Sequence, residues 1–263
     1  MNLNLTDRAA AVLASSAGIG RGIAAALAAE GARVAISGRD PKRIEHTVAE
    51  MREQFGDRVF GEALDVTDGP ALEAYLHRVR ERFGAVDILV TNAGGPPPGP
   101  AADLSLEALD AACELTLKSA VRAIRTVLPW MRARKWGRII AVTSSSVREP
   151  IPNLVLSNIF RPALTGYLKT LAGEVARDGV LVNSVCTGAF DTDRMRSLCQ
   201  ARADAAGMPL EAVLRQAGEV LPVGRIGSPA EFGALVAFLA SDQAAFLTGA
   251  AIPLDGGASH GLF

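Results

Sequence analysis

Short, mostly apolar β-rich runs alternate with longer segments of helical spacing along almost the whole chain. The runs fall at residues 12–14, 33–36, 59–63, 86–90, 138–142, 180–185 and 251–254. Helical periodicity covers 19–30, 42–55, 71–83, 106–132 and 164–176. A strand that is apolar on both faces must be covered on both faces, which suits a parallel sheet between two helical layers. Strand–helix alternation implies repeated βαβ units with right-handed crossovers. The expected fold is α/β: a doubly wound, seven-stranded parallel sheet with helices on both faces. No internal repeat or long polar linker breaks the 263 residues, so one domain spanning 1–263 is expected.

Composition narrows the class of function. Hydrophobic residues make up 49%, too many for a disordered chain. The net charge of −1, from 27 basic and 28 acidic residues, gives no broad field for polyanions, so no nucleic-acid partner is expected. Charges interrupt every apolar run before the length of about 18 residues that a membrane span needs. Cys113, Cys186 and Cys199 are an odd set without a C-x-x-C pair, which argues against disulfides and metal. The apolar stretch 9–14 is short for a signal peptide and leads into Gly18-Ile19-Gly20, so a cytoplasmic protein is expected.

Ligands of such sheets sit at the carboxyl edge of the strands. Three loops belong there. Gly94-Gly95-Pro96-Pro97-Pro98-Gly99-Pro100 is a stiff connection after the fourth strand. The polar stretch 187–208 follows the sixth strand and is expected to be a mobile loop, within a substrate-loop region of 187–225. Ala14-Ser15-Ser16-Ala17-Gly18-Ile19-Gly20 leads from the first strand into a helix, whose N-terminus favours a diphosphate. An ordinary βα turn is the competing reading of that stretch.

These segments resemble the short-chain dehydrogenase/reductase family over essentially the whole chain. Where that family carries Thr-Gly-x-x-x-Gly-x-Gly, this chain reads Leu13-Ala14-Ser15-Ser16-Ala17-Gly18-Ile19-Gly20. Alanine replaces the first glycine without strain if φ is negative there. Asp65-Val66, Asn92-Ala93-Gly94 and Asp255-Gly256-Gly257 match further motifs at suitable spacing, and 222–231 is similar to a stretch of bacterial carbonyl reductases. The resemblance implies a nicotinamide dinucleotide held by Ala14, Ser15, Ser16, Gly18, Ile19, Gly20, Asp65, Val66, Asn92, Ala93, Gly94, Arg161, Gly188 and Thr192. At the end of the second strand, Arg39 offers a planar fork to a 2′-phosphate, favouring NADP with NAD as the alternative. The competing reading gives Asp40 the role of helix N-cap and leaves Arg39 solvated.

The family's catalytic set is Asn, Ser, Tyr and Lys. Ser144 takes the Ser place, and the Tyr place thirteen residues later is Ser157. The Lys place is Arg161 and the Asn place is Thr116. Neither Tyr75 nor Tyr167 has a Lys four residues on, and both read as structural. A serine is a far weaker acid than a phenol, and an arginine binds but does not relay protons. The expected function is hydride transfer between a nicotinamide cofactor and a small carbonyl or alcohol, with altered acid–base residues and water as proton source. The alternatives are a 3-oxoacyl-carrier-protein reductase proper, and a nucleotide-binding sensor or partner subunit without turnover. The resemblance also implies a homotetramer, with a dimer second, through the segments 106–132 and 162–176. Among lesser candidates, Asn158 either orients substrate or caps local backbone. Arg148 and Glu149 either meet a polar substrate or pair with each other. His46 and His77 read as solvated, and His260 as a loose tail residue.

Overall fold

The computed structural model describes residues 2–261. The strands are β1 Ala9–Val12, β2 Arg33–Gly38, β3 Val59–Ala63, β4 Ile88–Thr91, β5 Gly137–Val142, β6 Val180–Thr187 and β7 Ala251–Leu254. They form one parallel sheet in the order β3-β2-β1-β4-β5-β6-β7. The order reverses between β1 and β4, and the crevice outside their carboxyl ends is where such sheets bind ligands. The helices are α1 Gly18–Ala29, α2 Pro41–Phe55, α3 Gly69–Phe83, α4 Leu106–Cys113, α5 Ser119–Arg134, α6 Val155–Val175, α7 Asp193–Ala206, α8 Leu210–Glu219 and α9 Pro229–Ala240.

Two-sided burial explains the strands. Every residue of β1 and β5 is buried. Along β1 the side chains alternate: Ala9 and Ala11 enter the core beneath α3, α5 and α6, while Ala10 and Val12 enter the core beneath α1, α2 and α9. Tyr75 is fully buried in the first of these cores, where burial keeps its phenol protonated, so its role is packing. Glycines let α1 and α9 cross with their backbones in contact. A β-carbon at Gly233 would lie 2.4 Å from the Gly22 carbonyl, and one at Gly22 would lie 2.3 Å from the Pro229 carbonyl.

Several expected boundaries move. The run 12–14 is not the first strand: β1 ends at Val12, and Leu13 and Ala14 already turn. Its four residues, three of them alanine, carry weak strand propensity, and burial on both faces decides the assignment. The segment 106–132 is two helices joined by a π turn, Glu114–Lys118. The segment 164–176 is the second half of α6, which runs through Pro162; an internal proline usually marks a helix start, which hides the first half in the sequence. The stretch 187–208 is no irregular loop. It carries α7, which packs with α8 around Cys199, Ala203, Val213 and Leu214. Among the described residues, no helix is long and apolar enough to cross a membrane.

The α1–α9 crossing has no room for a methyl group. Gly233→Ala is expected to lower stability by about 1–3 kcal/mol, the usual cost of overpacking. A thermal melt checks this; an unchanged melting temperature would show that the helices can separate freely.

Candidate active site

The turn after β1 is held from three sides. The Ser15 hydroxyl donates to the Val12 carbonyl (2.6 Å) and accepts from the Ser37 N–H (3.2 Å). The Ser37 hydroxyl accepts from the Ala14 N–H (3.2 Å). The Asn92 amide donates to the Ala14 carbonyl (2.9 Å), and Thr47 of α2 donates to the Ser16 carbonyl (3.0 Å). The side chains of Ser15 and Asn92 therefore brace the turn from within. Gly20 is forced by this packing, since a β-carbon there would meet the Ala14 carbonyl at 2.5 Å and the Asn92 amide at 2.9 Å.

Ala14 departs from expectation. Its φ is +47°, so alanine does not stand at this glycine place by having a negative φ. The bonds from Ser37 and Asn92 hold an L-residue in the left-handed region, which ordinarily costs about 1–2 kcal/mol. Gly18 also has positive φ, at +52°.

The start of α1 fits a dinucleotide diphosphate. The helix has no side-chain cap and no acidic residue in its first turn, whereas α2, α3, α4, α7 and α9 are capped by Asp40, Asp68, Ser105, Thr192 and Ser228. Uncapped N–H groups at the crevice suit an anion. Thr192 lies over the same turn, its methyl 3.2 Å from where a Gly18 β-carbon would sit. Gly94 is exposed, and a β-carbon there would meet nothing, so the fold itself does not require glycine at that place. Gly188 is required sterically, because Asp255 backs it at 2.4 Å. Ile19 packs partly against the α1-side core, Ala93 partly against the opposite core, and the Val66 side chain is buried within the latter.

At the adenosine end, Arg39 is exposed at the tip of β2. Asp40 caps α2 by accepting from the Lys42 (2.9 Å) and Arg43 (3.2 Å) N–H groups, so the competing reading of Asp40 holds beside the free Arg39. The Thr67 main-chain N–H, assisted by its hydroxyl and less by Arg39, holds the Asp65 carboxyl below its ordinary range despite some desolvation. Sequence reasoning missed Arg43, which forms an ion pair with Asp193 at the start of α7 and ties the adenosine edge to the overlying segment. No motif marks it, since the pair spans 150 residues.

The chemical end converges on the carboxyl ends of β4 and β5. Ser144 caps a short 3₁₀ turn, Ser145–Val147; its oxygen accepts from the Ser146 N–H (3.1 Å), which leaves its proton free to donate. Ser146 donates to the Ser157 main-chain carbonyl (3.3 Å), fixing that turn against α6. Ser157 is 8% exposed. Arg161 is buried one turn further on, and Nη1 donates to the Val142 carbonyl (2.9 Å). Burial first, and then the charge of Arg194, bring its pKa down to about 10, so it remains cationic at neutral pH. Thr116 lies in the π turn and lines, with Thr91, Asn92 and Arg161, a cavity of about 10 Å³. The hydroxyls of Thr91 and Thr116 are buried without a protein partner, and the space is close to what one water needs. Thr91 was not legible as a site residue, because it falls between the fourth apolar run and the Asn92-Ala93-Gly94 motif and belongs to neither.

Other candidates resolve differently. Asn158 caps local backbone, bonding the N–H (3.1 Å) and carbonyl (3.0 Å) of Ile151. Arg148 and Glu149 do not pair with each other: Arg148 donates to the Ala251 carbonyl (2.7 Å), and Glu149 lies 4.0 Å from His260. His77 is exposed but stacks edge-on with Trp130, and His46 lies 3.4 Å from Glu50. Tyr167 is partly buried on the outer side of α6, away from Ser144. Among the described residues, no cluster of three or more His, Cys, Asp or Glu is placed to hold a metal.

Replacing Ala14 with glycine removes the left-handed penalty at the cost of a more flexible unfolded chain. Ala14→Gly is expected to raise stability by about 0.5–1 kcal/mol. Denaturant unfolding checks it, and a loss of stability would show that the alanine methyl contributes packing that outweighs the strain.

Residues 13–259 match the family model described as enoyl-(acyl carrier protein) reductase. The chain is 34% identical over 255 residues to D-beta-hydroxybutyrate dehydrogenase of Cupriavidus necator, covering 96% of this chain and 98% of that one. Its fold superposes with a TM-score of 0.95 on L-sorbose reductase of Gluconobacter frateurii complexed with NADPH and L-sorbose, at 32% identity and full coverage of both chains. It superposes at 0.90 on a short-chain oxidoreductase from Pseudomonas aeruginosa PAO1 containing an atypical catalytic center, at 29% identity, covering 98% and 99% of the two chains. With its sheet order, its glycine turn and these relatives, the chain is an oxidoreductase of the short-chain dehydrogenase/reductase family.

Proposed function

We propose that the protein is an NADP-dependent oxidoreductase that interconverts a small carbonyl compound and its alcohol without a tyrosine–lysine pair. The observation that carries this reading is the buried Arg161 guanidinium beside Thr116, Asn92 and the end of β5. It supplies fixed positive charge where the family places a titrating pair. NADP is favoured over NAD because Arg39 is exposed at the tip of β2, with Lys42 in the first turn of α2 beside it. The NADPH-bound relative supports the same choice.

In the reduction direction, the nicotinamide supplies the hydride when it is bound. The protein's task is to hold the carbonyl and stabilise the oxygen as it becomes negative. Ser144 donates its hydroxyl proton to that oxygen in a hydrogen bond, while one of its two lone pairs accepts from the Ser146 N–H and the other is left for a water. Arg161 adds charge that does not vary near neutral pH. Ser157 makes no side-chain hydrogen bond to the protein among the described residues, and its main chain is bonded to Ser146 in the turn that Ser144 caps, so its hydroxyl is the next candidate to meet the substrate oxygen. The alkoxide takes its proton from a water held by Ser144 and Ser157, and the hydroxide left behind regains a proton from bulk solvent by exchange. The Thr116 cavity provides polar lining behind this point.

The region 187–225 is proposed to close over the substrate. The protein is proposed to act in the cytoplasm as a homotetramer, with a dimer second. The groove of about 750 Å³ between α3, α5 and α6, lined by Trp130, Arg122 and Tyr167 among others, is the face through which subunits would pair.

NADPH at a hundred times its dissociation constant is expected to stabilise the fold by about 2.7 kcal/mol, and NADPH oxidation is expected with some member of a panel of ketones and aldehydes. Ser144→Ala and Arg161→Ala are each expected to lower kcat/KM by about 100-fold. Full activity in both variants would overturn the mechanism. Thermal stabilisation without reduction of any carbonyl would instead favour a nucleotide-binding sensor.

The pH profile offers an independent check. Arg161 keeps its charge up to about pH 10, and among the described residues no histidine or lysine lines the cavity beside it. From pH 6 to 9, kcat/KM is therefore expected to vary by less than about twofold. A limb of unit slope in that range would reveal a titrating acid or base that this mechanism lacks.

A further inference from the structure

Arg194, in the first turn of α7, is not among the residues that the family motifs single out. Its guanidinium lies on Gly95, so that a β-carbon there would stand 2.6 Å from Arg194 Cζ. Nη1 donates to the Gly95 carbonyl (3.0 Å) and Nη2 to the Pro96 carbonyl (2.9 Å). The side chain thus spans from α7 to the loop after β4, directly beyond Asn92-Ala93-Gly94. It remains open to solvent on its other side.

The surrounding charges are distributed unevenly. Asp193 pairs with Arg43, and Arg196 pairs with Asp191 and Glu211. Arg194 is the one charged residue between 191 and 196 with no ionic partner among the described residues. Arg161 has none either, and the two cations are close enough for Arg194 to disfavour the charge on Arg161. Two like charges at the mouth of a crevice cost stability unless an anion joins them. Uncharged main-chain carbonyls are the acceptors that both now use.

We propose that Arg194 binds an acidic group of the substrate, so that the preferred substrate is a carbonyl compound bearing a carboxylate. This rests on the oxidoreductase reading and extends it to the substrate class. A guanidinium fork matches a carboxylate in two parallel hydrogen bonds, and the two carbonyl acceptors are exchangeable for it. The anion has a second conceivable source, the phosphates of the dinucleotide. The substrate is favoured because Thr192, not Arg194, is the residue beside the diphosphate place at Gly18, whereas the Arg194 guanidinium lies on Gly95 and Pro96, beyond Asn92-Ala93-Gly94.

The test is calorimetric titration of the NADP⁺-saturated protein with acetoacetate, levulinate and the methyl ester of each. At least one acid is expected to bind about tenfold or more tightly than its ester. Arg194→Gln is expected to erase that preference while leaving the ester affinity and the NADP⁺ affinity within about twofold. Arg194→Lys, which keeps the charge and loses the fork, is expected to recover part of it. Equal binding of acids and esters by the unmodified protein overturns the proposal. So does Arg194→Gln weakening NADP⁺ itself, which would assign the guanidinium to the cofactor. Parallel NADPH-oxidation assays separate this from the activity: esters reduced as fast as acids sustain the oxidoreductase reading and overturn the acid preference. Acid-selective binding without turnover of any carbonyl sustains the anion site and removes the activity.

Discussion

The junction at the carboxyl end of β1 positions everything else in the crevice. There the Ala14 backbone is bonded on one side to the Ser37 hydroxyl from β2 and on the other to the Asn92 amide beyond β4. Those bonds join the three central strands just where the order of the sheet reverses. They hold a non-glycine residue at positive φ and leave α1 to begin uncapped. Gly20 then brings the helix within van der Waals limits of the turn. The diphosphate place follows from a network whose members mostly do not face a ligand at all.

The sheet was readable because burial on two faces writes itself into a sequence as short runs rich in apolar residues. Seven strands, with the bounds of the first misplaced, and the loops at the carboxyl edge follow from that pattern and the family resemblance. What was hidden depends on contacts between distant residues. The φ of Ala14 is set by Ser37 and Asn92 rather than by its neighbours. Helical packing within 187–225 rests on a small core around Cys199 and Val213, whose apolar residues are too sparse to read as a separate layer. Asn158 was ambiguous until the Ile151 backbone came within reach of both ends of its amide.

The site residues differ in the same way. Ser144, Ser157, Arg161 and Thr116 could be placed by the family resemblance, and the fold brings the elements that carry them together at β4, β5 and α6. Their partners could not. Ser144 gains a defined donor direction only because the Ser146 N–H occupies its oxygen. Arg161 gains its burial from α6 packing over the end of β5. Arg194 and Arg43 are surface arginines in the sequence and become bridges across the crevice in the fold. In the proposed mechanism these features replace a titrating pair with hydroxyls and fixed charge, a site suited to stabilising an oxyanion rather than delivering a proton.

That exchange is the central claim, and a crystal structure with NADP⁺ and a bound ketone tests it most directly. The account predicts the carbonyl oxygen within about 3.2 Å of Ser144 Oγ and an Arg161 nitrogen, with an ordered water between Ser144 and Ser157 as the proton source. A tyrosine, lysine or histidine bonded to that oxygen, from this chain or from a neighbouring subunit, would contradict it.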